Sequence, residues 1–138
     1  MLMMGLALAA ADPVPPTPPA EASVQAAVRV VQHYYAALGR HDYRTAHALW
    51  PRGPGIDELR RGYAHTAWTR VTPLPPFTSE GGAGSVYAQI KVKVDSAQTD
   101  GTRQHFTGSY TLRRVNDVEG STAAQRRWHI ESGKLVRR

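Results

Sequence analysis

The chain has 138 residues, enough for one domain, with 17 Lys and Arg against 11 Asp and Glu and a formal net charge of +6. It contains no cysteine, which excludes disulfides, thiolate metal sites and cysteine nucleophiles. The basic balance permits contact with nucleic acid or anionic lipid, but the sequence favours an ordinary solvated basic surface as its explanation.

The first 20 residues differ from the rest in composition. Residues 1–11 are uncharged, apolar and end in three alanines, which resembles a secretory signal without its usual basic start. Eleven residues are too few to span a bilayer, so no transmembrane span is expected. Residues 12–20 are rich in proline and predict a stiff, extended spacer. We therefore expect an exported protein, periplasmic or secreted, with one domain over residues 21–138; a disordered cytosolic N-terminus is the alternative.

Three helices are predicted in the first half of this domain. The first spans residues 21–38 and ends at Gly39. Its apolar stripe recurs at helical spacing and consists of Val24, Val28, Val31, Tyr35 and Leu38. The second covers residues 43–50, with Asp42 as its cap. The third begins near Asp57, and its stripe consists of Ile56, Leu59 and Tyr63.

Four strands are predicted after the helices. The first begins at residues 68–71 and meets two consecutive prolines, which predicts an edge strand or a bulged one. The next two form a hairpin between Ser85 and Arg114, because apolar and polar side chains alternate along both. A polar loop over residues 116–124 leads to the last strand, residues 126–136, which carries Trp128 and Ile130 on one side.

The register of the hairpin follows from its alternation. A three-residue loop, residues 99–101, pairs Val94 with Phe106 and keeps the apolar side chains on one face, whereas a two-residue loop mixes the faces. Gly101 then occupies the left-handed position that closes such a loop. The predicted dry face of the sheet consists of Val86, Ala88, Ile90, Val92, Val94, Phe106, Gly108, Tyr110, Leu112, Trp128 and Ile130.

The opposite face of the sheet is predicted to be wet and basic. It places Asp95 opposite His105 as a weak surface pair. Its other notable residues are Tyr87, Lys91, Arg113, Arg127 and His129. This face is a possible docking surface for an acidic partner, a partner protein or a second copy of the chain. Nucleic acid is not expected as a partner, because Tyr87 alone offers a ring for base stacking.

Three helices followed by four strands make an α+β layout, with helices packed on one face of a curved antiparallel sheet. The chain resembles the nuclear-transport-factor-2-like (SnoaL-like) superfamily, in which a tyrosine-rich first helix precedes a small-Gly-x-Asp-Tyr/Phe-x-x-Ala motif and a late strand carries Trp-x-Ile. The matching residues are Tyr34, Tyr35, Leu38, Asp42, Tyr43, Ala46, Trp128 and Ile130. The resemblance covers about residues 23–136, extends to small exported bacterial members, and implies a cone that encloses a pocket.

The resemblance implies several activities, because the superfamily includes dehydratases, isomerases, cyclases and non-catalytic binding or assembly domains. Its catalytic members place Asp with His or Tyr in the pocket, whereas the predicted dry face has neither a carboxylate nor a histidine, so no catalytic residue carries over. His33 and His47 border apolar stripes and either point inward or face solvent. The candidate pocket residues, for which a role as core aromatics is the favoured alternative, are Tyr34, Tyr63, Trp68, Tyr110 and Trp128.

Neither a metal nor a cofactor is expected. The six histidines lack metal-site spacing, since none lies three or four residues from another. The glycines of residues 81–84 precede a strand rather than a helix, so they do not make a phosphate-binding loop.

Three functions remain open. The first is a non-catalytic exported domain that binds a small apolar ligand or a partner protein. The second is a dehydratase- or isomerase-type enzyme with a tyrosine–histidine pocket. The third is a cell-envelope assembly or scaffold module that docks through the wet face of the sheet. An inward His or Asp bonded to a tyrosine would favour the enzyme, and a filled interior would favour the scaffold.

Overall fold

The computed structural model of the chain describes residues 16–138. The signal-like segment and residues 12–15 of the proline-rich spacer lie outside the described residues. The elements, in chain order, are α1 (Pro19–Ala22), α2 (Val24–Gly39), α3 (Tyr43–Leu49), α4 (Ile56–Tyr63), β1 (Thr66–Gly82), β2 (Ser85–Gln98), β3 (Arg103–Val115), α5 (Ala123–Arg126) and β4 (His129–Arg137). This order confirms the predicted α+β class. No helix between residues 16 and 138 has both the length and the apolar character needed to cross a bilayer.

The predicted first helix is interrupted at Ser23. The backbone of Ser23 is extended, and its hydroxyl accepts a hydrogen bond from the Ala26 N–H, so Ser23 caps α2. The four residues before it form α1, which has Pro19 at its first position, where a fixed φ suits a helix start. The prediction of an extended spacer through Ala20 is therefore wrong for Pro19 and Ala20.

Helix α2 buries the face that its periodicity predicts. Its buried residues are Ala27, Val28, Val31, Tyr34, Tyr35, Ala37 and Leu38. The helix includes Gly39, and the left-handed residue after it is His41, with a φ of 61°. Asp42 then caps α3 as predicted, because its carboxylate accepts the N–H of Thr45 at 3.2 Å. These two turns set α3 against the end of α2.

The sheet has four antiparallel strands in the order β1-β2-β3-β4. Strand β1 lies at one edge and shifts register between Leu74 and Thr78, which confirms the prediction of an irregular edge strand. The strand resumes after the prolines and runs to Gly82, so only Ala83 and Gly84 form the turn into β2.

The central hairpin has the predicted register. Val94 pairs with Phe106 and Ile90 with Tyr110. The Gln98 N–H donates to the Thr102 carbonyl at 2.8 Å, and Gly101 has a φ of 92°, so the loop has three residues and closes on a left-handed glycine. The fully buried part of the dry face consists of Ala88, Ile90, Val92, Val94, Tyr110, Leu112 and Ile130, whereas Val86 and Phe106 are half-buried.

The last strand begins later than predicted. Residues 123–126 form α5, which starts with a reciprocal cap between Thr122 and Gln125, and β4 begins only at His129. Trp128 therefore lies just before the strand, although it is buried. Arg127 is the C-cap of α5, so the prediction that it shares the wet face of the sheet is wrong.

Gly108 is crowded by a strand rather than by a helix. A Cβ at this position would overlap the backbone carbonyl oxygen of Lys134 on β4. The absence of a side chain at Gly108 allows β3 and β4 to approach closely.

Candidate functional site

Aromatic rings fill the space between α2 and the sheet. Tyr34 and Tyr35 on α2, Tyr110 on β3 and Trp50 after α3 pack edge to face, with ring centroids 5.5 to 6.3 Å apart. The three tyrosines are only 2 to 4% exposed. We call these four residues the aromatic cluster. The cluster occupies the part of the interior where the family resemblance implied a pocket.

The hydroxyl groups of Tyr35 and Tyr110 are partners. One donates a hydrogen bond to the other, with 2.5 Å between the oxygens. Burial raises the pKa of Tyr35 far above its ordinary value, and the neighbouring Tyr110 and Tyr63 raise it further. Burial likewise raises the pKa values of Tyr34 and Tyr110. All three phenols are therefore neutral at physiological pH and cannot act as bases there.

The Glu58 carboxylate lies near enough to help raise the pKa of Tyr34, but no hydrogen bond joins a carboxylate or an imidazole to these hydroxyls among the described residues. His47 is half-buried, and its Nδ1 lies 3.2 Å from the Pro54 carbonyl oxygen. His33 is exposed. The described residues thus lack the inward histidine or aspartate, bonded to a tyrosine, that would favour the enzyme hypothesis.

A groove of about 790 Å³ lies along a different flank of α2. The helix lines it with Ala26, Arg29, Val30 and His33, which recur at helical spacing as a row distinct from the buried stripe. The far end of α3 adds Ala48 and Leu49. The groove is therefore separate from the space that the aromatic cluster occupies.

The other wall of the groove comes from the segment around α5 and from the chain before α2. Ala123, Arg126 and Arg127 line it beside α5, followed by Trp128 and His129. Residues 16–18 and Glu21 complete the wall. The indole N–H of Trp128 is buried and has no hydrogen-bond partner among the described residues. Elements far apart in the chain thus build one concave surface, which we call the flank groove.

The N-terminal wall of the flank groove is anchored to the domain by Thr17. Its N–H donates to Asp117 Oδ2 at 2.8 Å, and its hydroxyl donates to Asp117 Oδ1. Arg114 donates from Nη2 to both Thr17 Oγ1 and Asp117 Oδ1, each at 2.9 Å, and from Nε to the Arg126 carbonyl at 2.8 Å. Because the Arg114 side chain is only 5% exposed, it is a buried cation that joins three segments. We call these contacts the Arg114 anchor.

The charges that line the flank groove are mainly positive. Its basic residues are Arg29, His33, Arg126, Arg127 and His129, against Glu21 as the acidic one. Arg126 is engaged by Ser121 and Asp117, and Arg29 donates to the Ala20 carbonyl. Arg127, in contrast, makes no side-chain hydrogen bond or ion pair with the described residues. Burial lowers the pKa of His129 below its ordinary value, and this effect exceeds the opposing hydrogen bond with the Arg127 backbone, so His129 is neutral at physiological pH.

The five candidate pocket residues do not form one site. Tyr34 and Tyr110 meet in the aromatic cluster, and Tyr63 lies near enough to raise the pKa values of both. Trp128 lines the flank groove. Trp68 lies apart on the edge strand, with the guanidinium carbons of Arg70 and Arg103 at 5.2 and 5.4 Å from its ring centre. That any of the five contacts a ligand stays a prediction.

Sequence reasoning missed the row of α2 that lines the flank groove. The signal was present, because Ala26, Val30 and His33 recur on one side of the helix, but the stronger stripe beside it drew the interpretation. The side chains of α5 could not be assigned to the groove from sequence, because their position depends on how the loop after β3 folds. Within residues 16–138, no three His, Asp or Glu side chains gather as metal ligands would.

Solved structures that resemble this chain include nuclear transport factor 2-like proteins. One is a superfamily protein of that name from Salmonella enterica serovar Typhimurium, with 14% identity, a TM-score of 0.57, and 83% of this chain and 89% of that chain covered. Another is named as a candidate scytalone dehydratase from Novosphingobium aromaticivorans, with 14% identity, a TM-score of 0.56 and 83% of each chain covered. A candidate dehydratase of the NTF2-like family from Streptomyces avermitilis has 17% identity, a TM-score of 0.52, and coverage of 81% of this chain and 93% of that chain.

Neither a protein-family model nor a curated protein matches the sequence. Identities of 14 to 17% show a shared fold rather than a shared activity. The chain therefore has the NTF2-like fold, as its motifs predicted.

Proposed function

We propose that this chain, which has the NTF2-like fold, is a non-catalytic domain that binds a small ligand in the flank groove. The observation that carries the proposal is the division of space around α2. One flank of the helix packs into the aromatic cluster, and another borders a groove of about 790 Å³. A volume of that size lies within the range of sites that enclose ligands of a few hundred daltons.

The composition of the groove supports binding rather than chemistry. Val30, Leu49 and Trp128 supply apolar surface, and Arg29 and Arg127 supply donors. Sites of this kind, apolar with a few polar groups, are typical of small-molecule recognition. Its acidic residue, Glu21, is exposed on the short helix α1, so solvent rather than burial surrounds the carboxylate. A general base of tuned pKa is usually placed in a more enclosed setting.

A dehydratase or isomerase is the second candidate, and the names of some structural neighbours favour it. It would require the aromatic cluster to open and admit substrate, because Tyr35 and Tyr110 are buried and bonded to each other. It would also require a base that the described cluster lacks. We therefore rank binding above catalysis for this chain.

Export belongs to the same proposal, and residues 1–11 support it because they resemble a secretory signal. The test is to express the full chain in a bacterium and determine the mass of the protein in the periplasmic and cytosolic fractions. We expect a shortened chain in the periplasm. A full-length chain confined to the cytosol would contradict export without bearing on the groove.

Native mass spectrometry tests ligand binding directly. The full chain is incubated with a total small-molecule and lipid extract of bacterial cells, separated by gel filtration and sprayed intact. We expect a bound mass of a few hundred daltons. Ala48→Trp, which places an indole in the groove, should abolish the bound mass, because Ala48 is an exposed residue of the lining.

The matched control is Ala36→Trp, an equal enlargement at an exposed position of α2 outside the groove lining. This variant should keep the bound mass. Absence of any bound mass on the wild-type chain contradicts the proposed function. Equal retention by both variants shows that the ligand lies elsewhere and contradicts the assignment to the flank groove.

A further inference from the structure

We infer that the ligand of the flank groove is an amphipathic anion, an organic acid whose apolar body lies along Val30, Leu49 and Trp128 and whose carboxylate binds Arg127. This inference rests on the proposed function, because it names the chemical class of the ligand for the same groove. It follows from the sign of the charges in the groove, from the side chain that is left without a partner, and from the apolar surface between them.

The residues that line the flank groove carry more positive than negative charge. Three arginines line the groove, and Glu21 is the acidic residue among its lining. Arg126 is already held by Asp117 and by Ser121, so it serves the structure of the loop. One guanidinium nitrogen of Arg29 donates a hydrogen bond to the Ala20 carbonyl. The groove therefore retains a positive potential, which favours a negative ligand and disfavours a cationic one.

Arg127 offers its guanidinium to a ligand in the flank groove. Its guanidinium has no hydrogen bond or ion pair within residues 16–138, although it borders a concave surface. A guanidinium presents a planar set of donors that matches a carboxylate in two parallel hydrogen bonds. A neutral ligand that covered Arg127 would remove water from this cation without replacing its hydrogen bonds, which is unfavourable. A carboxylate replaces them.

The flank groove also has apolar lining residues. The apolar residues that line the groove include Ala26 and Val30 on α2, Leu49 at the end of α3 and the largely buried Trp128 before β4. A purely ionic ligand such as phosphate or citrate would leave this surface exposed. A ligand with both an acid group and an apolar body contacts both kinds of surface, and the hydrophobic contribution grows with the area that it covers.

Isothermal titration calorimetry of the full chain with three ten-carbon probes tests the class of ligand. Decanoate, decanol and decylamine share an apolar body and differ in the charge of the head. We expect decanoate to bind at least tenfold more tightly than either of the others. Arg127→Gln should weaken decanoate about tenfold and leave decanol unchanged, because only the anion uses the guanidinium.

Lys91→Gln is the matched control, because it removes the same charge from an exposed position outside the groove lining. It should leave the affinity for decanoate unchanged. An equal loss in Lys91→Gln would show that the net charge of the protein, not Arg127, attracts the anion, and would overturn the inference. Decanol or decylamine binding as tightly as decanoate would also overturn it, while leaving a ligand-binding groove in place.

The two proposals fail in different ways. If none of the three probes binds, but the chain retains a mass from the cell extract that Ala48→Trp abolishes, the ligand class is wrong and the proposed function stands. If none binds and no mass is retained, the proposed function itself is wrong.

Discussion

The hydroxyl oxygens of Tyr35 and Tyr110 lie 2.5 Å apart, so a pair of phenols joins helix α2 to strand β3 across the core. Both side chains are buried, so each hydroxyl supplies the hydrogen-bond partner that the other needs in the absence of water. The pair explains how two polar atoms can lie between the helix and the sheet. It also indicates that these tyrosines stabilise the fold.

A double-mutant cycle tests this role. Tyr35→Phe and Tyr110→Phe should each lower the free energy of unfolding by about 1–2 kcal/mol, because each leaves one buried hydroxyl without a partner. The double variant should be no less stable than either single variant, because it removes both polar groups and keeps the shape. Urea unfolding measures all three. Tyr87→Phe, at an exposed tyrosine, is the control and should have little effect. Additive losses in the double variant would contradict the pairing.

The close approach of β3 and β4 at Gly108 predicts a steric effect. Gly108→Ala should lower the free energy of unfolding by about 2–3 kcal/mol. The new Cβ would overlap the backbone carbonyl oxygen of Lys134, and a strand backbone cannot move aside as a flexible side chain can. Thermal and urea unfolding measure the loss.

Gly62→Ala is the control for Gly108→Ala. Gly62 lies in helix α4, and a Cβ there would meet nothing within 4 Å. Alanine should therefore have no unfavourable effect and should stabilise the helix by up to about 1 kcal/mol. A Gly108→Ala protein as stable as the wild type would show that the two strands can separate at this point without penalty.

The Arg114 anchor predicts a large effect of one buried cation. Arg114→Met keeps most of the side-chain length but removes donors to Thr17, Asp117 and the Arg126 carbonyl. We expect the free energy of unfolding to fall by about 2–3 kcal/mol, since buried acceptors lose their partners. The free energy of unfolding of Arg114→Lys should lie between those of the wild type and Arg114→Met, because an ammonium keeps the charge but cannot match the planar geometry of a guanidinium. Arg61→Met, at an exposed arginine of α4, should be nearly neutral in the same urea titration.

The pH dependence of stability should carry the signature of Asp117. Hydrogen bonds from Thr17, and then from Arg114, lower the pKa of Asp117 below its ordinary value in the folded protein. A lowered folded pKa contributes stability that is present above the unfolded pKa of about 4 and is lost as the pH falls through the folded value. Asp117→Asn should therefore be less stable than the wild type at pH 7, and the difference should shrink below about pH 4. A difference that stays constant from pH 7 to pH 3 in urea titrations would contradict this assignment.

Local patterns predicted the hairpin well. The alternation of β2 and β3 and the glycine at position 101 together specify one register, because a slip of one residue would turn a strand inside out. The Asp42 cap was predictable for the same reason, since one side chain and one backbone N–H three residues on define it.

The breaks at the ends of the domain were harder to predict. Ser23 interrupts what periodicity predicts as one helix, because its hydroxyl competes for the backbone at a helix start. The reciprocal cap of Thr122 and Gln125 is visible in the sequence as a Thr-x-x-Gln pattern, but a polar loop was predicted there.

The flank groove itself was beyond local reasoning. Arg29 and Arg127 come together only because residues 16–18 and α5 fold back beside α2. No spacing rule relates residues separated by most of the chain. The likeness to NTF2-like proteins directed attention to the interior of the cone, where this chain places the aromatic cluster.

The Arg114 anchor also bears on how the chain can be trimmed. Thr17 follows the last alanine of the signal-like segment by only six positions, Ala11 to Thr17. A peptidase that cuts after Ala11 would leave the hydroxyl of Thr17 bonded to Arg114 and Asp117, and the mature domain would keep its N-terminal clamp. A cut after Ala20 would remove that hydroxyl together with residues 16–18 of the groove lining. Under the proposed export, a shift of nine residues in the cleavage site, from Ala11 to Ala20, would therefore decide whether the processed protein keeps the contacts of Thr17 with Arg114 and Asp117.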